Sequence, residues 1–216
     1  MEVEKLALEE DEEIRRMIQV LQEDLASIEG ILRDNKGQFW RRVYARAIFA
    51  FVDGVLFSLK VGILPPSPHP LLESEREYLY GRRAKEELDG HKLFDLTPTR
   101  VSVREDFEMT FFMYADMWGS NFRIRKNTKG WDLFLEAIRI RKRVTHPKRL
   151  RDLDITNGDL EALHKALHWF MRNHVSLLES SVKATKEMLK GMSRAFRKKS
   201  IKSNERDKGQ LKLLES

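Results

Sequence analysis

Apolar residues recur along most of this chain at the spacing of a helix, three or four apart, with charged residues between them. Ile14, Met17, Ile18, Leu21, Leu25, Ile28 and Leu32 form one such stripe and predict a first long helix. Phe39, Val43, Ala47, Phe51, Val55 and Leu59 predict a second, with Gly54 allowing the close approach of a neighbour. A shorter, more polar helix is expected from Ser74 to Leu88. A fourth runs from Ser102 to Trp118 with Phe107, Phe111 and Tyr114 inward. A fifth runs from Trp131 to His146 with Phe134, Leu135 and Ile138 inward. The last starts at Asn157 and carries Leu160, Leu163, Leu167, Phe170, His174 and Leu177 on its core face.

Breakers and caps set the limits of these helices. Pro65, Pro66, Pro68 and Pro70 crowd one loop, and Pro98 and Pro147 mark two further ends, because proline excludes the residue before it from helical geometry. Ser74 with Glu77 and Ser102 with Glu105 have the spacing of capping boxes, and Thr156 with Asp159 is a shorter-armed version. Sustained alternation of apolar and polar residues is missing. Arg100 to Val103 is the sole strand candidate and is too short to found a sheet. The expected fold is an all-α antiparallel bundle of five to six helices. The bundle is placed at 1–190, with its core at about 14–175, and a basic, flexible tail at 191–216.

The apolar stretch from Val43 to Leu64 has nearly the length of a membrane span, but Arg46, Asp53 and Lys60 interrupt it. Their seven-residue spacing puts all three on one helix face, and each charge in a bilayer would cost a few kcal/mol. A buried amphipathic helix is expected, with no membrane association. Cysteine is absent, so disulfides and thiolate metal sites are excluded. The amino terminus has acids where a signal peptide needs basic and apolar residues, which points to a cytoplasmic protein. Residues 1–13 carry a net −6 and the remainder +12, which suits a polyanionic partner of the body, most simply nucleic acid, and equally a merely solvated surface.

One segment concentrates chemistry. From Arg139 to Arg151 there are seven basic residues (Arg139, Arg141, Lys142, Arg143, Lys148, Arg149, Arg151) and His146, with no acid among them. Arg141 and His146 stand five apart, about 140° around a helix and about 7.5 Å along it, and Pro147 forces the helix to end there. A histidine beside guanidinium groups suits RNA transesterification. A base near neutral pH takes the 2′-hydroxyl proton, and a cation stabilises the charged phosphorane. The segment lacks the carboxylate cluster that two-metal cleavage needs. Cations also belong at a helix carboxyl terminus for purely structural reasons, and Lys148, Arg149 and Arg151 serve equally as basic surface.

The R-x4-H pattern from Arg141 to His146 resembles the defining motif of the HEPN superfamily. Its context, E-A-I-R-I-R-K-R-V-T-H-P-K, then D-L-D-I-T and a helix with A-L-H-W-F, is similar to bacterial HEPN proteins. The earlier F-W-R-R-V-Y-A-R-A-I-F-A-F-V-D-G-V-L-F-S-L-K is similar to their early core helix, and the likeness covers roughly residues 14–175. The resemblance implies a helical bundle that dimerises with two motifs face to face, and a metal-independent RNA endonuclease leaving cyclic phosphates. Toxins and defence effectors are common in the family, so a cognate antitoxin or a defence-system protein is a further implied partner. On this mapping Arg141 stabilises the phosphate and His146 is the acid–base group, with Arg139 at the looser family spacing. Arg139, Lys142, Arg143, Lys148, Arg149 and Arg151 would contact RNA, and no cofactor or metal is implied. The family often has asparagine where this chain has Lys142. The tyrosine that one toxin branch carries two residues after the histidine is Lys148 here, which argues against that branch.

Other histidines invite a metal. Glu161-x-x-His164-x-x-x-His168 has the local form of a di-iron helix, but no matching motif stands in register elsewhere, so a solvated or interface face is the simpler expectation. Alternatives to the nuclease are a silent HEPN module that binds a protein partner or nucleic acid and, more remotely, a metal-binding oxidoreductase bundle.

Overall fold

The computed structural model describes residues 2–63 and 102–214, with side chains over 12–63 and 102–194. It is an all-helical bundle, with no strand among the described residues. In chain order the helices are α1 (Glu2–Asp34), α2 (Gln38–Val61), α3 (Val103–Met117), α4 (Lys129–Thr145) and α5 (Asn157–Leu214). A 3₁₀ turn, Leu150–Leu153, lies between the last two. The expected helix over 74–88, its cap, the proline loop and Pro98 lie outside the described residues.

The expected starts are where capping chemistry puts them. The Ser102 hydroxyl accepts from the Glu105 amide at 3.2 Å, and the Glu105 carboxylate accepts from the Ser102 amide at 2.9 Å. Thr156 and Asp159 exchange the same pair of bonds at 3.1 and 2.8 Å. Each cap satisfies amides that the helix itself leaves unpaired. α1 begins earlier than its apolar stripe, because its backbone helix includes the acidic residues from Glu2 onward. α5 continues through the basic stretch beyond Gly191 to Leu214.

α2 is the central element. Tyr44, Ala45, Ile48, Phe49, Phe51, Val52, Val55, Leu56 and Leu59 are all buried, which is more of the helix than one stripe, while Phe39 is exposed. α2 is covered by α1 on one side and touched by α3, α4 and α5 on others. Gly54 lies under α1: a Cβ there would meet Leu21 Cδ1 at 2.6 Å.

On the other side of the bundle, Phe107 of α3 is ringed by Phe111, Trp131, Phe134, Trp169 and Phe170, with ring centroids 4.4 to 6.4 Å away. Tilted and offset rings at these separations add to the burial of their apolar area. Phe134, Trp169 and Phe170 are thus interior residues of one chain. No helix among the described residues is long and apolar enough to cross a membrane.

Candidate catalytic site at the end of α4

The inward face of α4 is Trp131, Phe134, Ala137, Ile140 and Val144. Leu135 and Ile138, expected inward, are only partly buried. That face fixes where the basic residues stand. Arg141, next to Ile140, is half-buried; Lys142 is exposed; Arg143 is half-buried beside Val144. His146 is the exposed carboxyl-terminal cap of α4, with its backbone amide on the Lys142 carbonyl at 3.0 Å. The expectation that Pro147 ends the helix at this histidine holds.

Basic residues of α2 hold the link that follows. Arg46 donates to the Val144 carbonyl at 3.4 Å and Arg42 to the Leu153 carbonyl at 3.2 Å. Arg41 donates to the Ile155 carbonyl at 2.7 Å and to Asn157 Oδ1 at 2.8 Å. Gln38 brackets Ile155 with bonds to both its carbonyl and its amide. Inside the link, Asp152 accepts from the amides of Lys148 and Arg149 at 2.8 and 2.9 Å. Those amide bonds, the Lys148 one foremost, hold the Asp152 carboxyl below its ordinary range. The corner carrying His146, Lys148, Arg149 and Arg151 is therefore tied down by charge-assisted bonds at both ends, and all four residues are exposed.

Carboxylates absent from the segment arrive from other helices. Arg141 Nη2 donates to Asp53 Oδ2 of α2 at 2.8 Å, and its guanidinium lies 5.2 Å from the centre of the Phe49 ring. Arg143 pairs with Asp159 of α5 at 3.0 Å. Arg139, fully on the outside, pairs with Glu136 of its own helix at 2.8 Å. Burial pushes the Asp53 carboxyl above its ordinary value; Arg141 opposes that and Asp106 adds to it. Burial also pushes Asp159 up, but the Thr156 amide and Arg143 outweigh it, and the carboxyl sits below its ordinary value.

Three of the basic residues expected at the site, catalytic Arg141 and the RNA contacts Arg139 and Arg143, are thus ion-paired within the chain. Lys142 and Lys148 make no ion pair, and the His146 ring makes no hydrogen bond, among the described residues. Sequence reading missed Asp53, Phe49 and Asp159 as neighbours of the motif. The signal for Asp53 was present: Arg46, Asp53 and Lys60 share one face of α2, and all three meet α3 or α4, at Val144, Arg141 and Asp106.

The arrangement can do two things chemically. The Arg141 guanidinium is held by one of its five donors and by an aromatic face, which leaves other donors for an anion. The His146 imidazole is open to solvent and able to exchange a proton. No family model, curated protein or solved structure matches the chain.

Proposed function

We propose that this protein is a metal-independent RNA endonuclease of HEPN type, acting as a toxin or defence effector. His146 takes the 2′-hydroxyl proton, the 2′-oxygen attacks the adjacent phosphorus, and the bond to the 5′-oxygen breaks as that oxygen takes a proton from water. Arg141 stabilises the charge on the phosphorane. The carrying observation is the pair itself: an arginine fixed by Asp53 and Phe49, and a histidine with a free ring at the end of the same helix. Lys142, Lys148, Arg149 and Arg151 supply the exposed cationic surface for the RNA backbone, and Arg139 and Arg143 contribute only if their ion pairs open.

The proposal includes a homodimer. Exposed Val175, Val182 and Leu189, seven apart on α5, offer it an apolar face. The Arg141–Asp53 pair favours one competing reading, a silent module in which Arg141 only joins α4 to α2. Incubation with single-stranded and hairpin RNA in excess EDTA separates them. The nuclease yields fragments ending in 2′,3′-cyclic or 3′-phosphate. Intact RNA, or cleavage only when a metal is added, gives the place to the silent module.

A further inference from the structure

A second cluster of titratable groups lies away from Arg141 and His146, where α1, α2 and α5 meet around a groove of about 490 Å³. Glu29, Tyr44 and His164 line it, with Arg33, Asn157 and Glu161. Tyr44, a core residue, donates its hydroxyl hydrogen to Glu29 Oε1 at 2.7 Å. The same hydroxyl oxygen lies 3.3 Å from His164 Nδ1. Its one hydrogen is already given to Glu29, so the oxygen can only accept, and His164 must carry its proton on Nδ1. A neutral His164 then has a bare lone pair on Nε2. That atom is 3.0 Å from Nε2 of His168, one turn further along α5.

We propose that His164 and His168 form a two-histidine site for a divalent transition-metal ion of the zinc, nickel or copper class. Imidazole nitrogen suits these ions, whereas magnesium and calcium require oxygen donors. Tetrahedral zinc with bonds of about 2.0–2.1 Å holds two nitrogens about 3.3–3.4 Å apart, so the pair need open only by a few tenths of an ångström. Both residues are exposed, and His168, bonded only to His164, is the ring that shifts to open the pair. On binding, His168 moves its Nε2 proton to Nδ1 through solvent, and both Nε2 lone pairs face the ion. The chain from His164 through Tyr44 to Glu29 is the outer-shell support that fixes a ligating imidazole in one tautomer and raises its basicity. Among the described residues no third His, Asp or Glu completes a protein ligand set. Two tetrahedral positions therefore stay open to water or another donor.

Zinc titrated calorimetrically into the full chain at pH 7.5 tests the assignment. One ion per chain is expected. His164→Ala and His168→Ala should each weaken binding at least tenfold, and both should fold normally because both positions are exposed. Tyr44→Phe keeps the buried ring and removes the hydroxyl link, leaving Glu29 Oε1 at 3.6 Å from His164 Nδ1, beyond hydrogen-bond reach, and should weaken binding about 10- to 100-fold. His146→Ala, outside the cluster, should bind zinc as wild type does. Failure to bind zinc, or undiminished binding by the doubly substituted His164→Ala/His168→Ala chain, overturns the site. Wild-type affinity in a folded Tyr44→Phe overturns the orienting role of the Tyr44–Glu29 chain.

Discussion

Asp53 carries opposed influences: burial raises its carboxyl, and Arg141 is the largest influence pulling it down. Replacing Arg141 by glutamine should therefore raise the Asp53 pKa further. Carboxyl carbon shifts followed by NMR through a pH titration would measure it, and an unchanged or lower value would contradict the pairing. The sign for stability follows. A carboxyl whose folded value lies above its unfolded value of 3.8 lowers stability at neutral pH, and that cost is relieved as pH falls through the folded value. In Arg141→Gln the relief should begin at higher pH than in wild type. This residue-scale detail explains why the motif was only partly legible. Arg141 and His146 stand out locally, but the partner of Arg141 lies 88 positions away in sequence. Local spacing reports which groups share a helix, not which other helix packs on them. The heptad of charges on α2 showed that this face met something polar without showing what.

At the scale of elements, the starts of α3 and α5 and the end of α4 were readable because caps and prolines act over three or four residues, whereas the Thr128 cap of α4 and the run of α5 to Leu214 were not read. The extent of burial of α2 was less readable, since its exposed stripe of Arg46, Ala50, Asp53 and Phe57 is narrow and half apolar. Packing that depends on a missing side chain is harder still to read. Gly54 suggested a close neighbour, and Leu21 is there. Gly130 gave no such hint, yet a Cβ on it would meet the Trp169 ring at 1.9 Å. Gly130→Ala should therefore destabilise by roughly 1–3 kcal/mol through overpacking, despite alanine's better helix propensity. Gly54→Ala should cost less, because the atom it meets is the movable end of a leucine. Urea denaturation of the two variants should rank them in that order, and the reverse order would contradict the packing of α5 on α4.

At the scale of the whole molecule, charge is divided lengthwise, with −6 over residues 1–13 and +12 over the rest. The acidic residues belong to the start of α1, and α5, at 58 residues, extends about 87 Å. If the exposed cations around the α4 corner track a phosphate backbone, RNA affinity should fall steeply between about 50 and 200 mM salt through counterion release. Affinity that ignores salt over that range would remove RNA as the partner. The chain's overall class followed from periodicity alone, because helical bundles are built from local patterns. The proposed function rests instead on one histidine whose environment no pattern fixes.

The most direct test is the rate of RNA cleavage by wild type and His146→Ala in excess EDTA, with circular dichroism confirming that both are folded. The exposed position of His146 makes a folding defect unexpected. Loss of the acid–base group should slow cleavage by about 10²–10⁴. A folded His146→Ala that cuts as fast as wild type would contradict the assignment of the site.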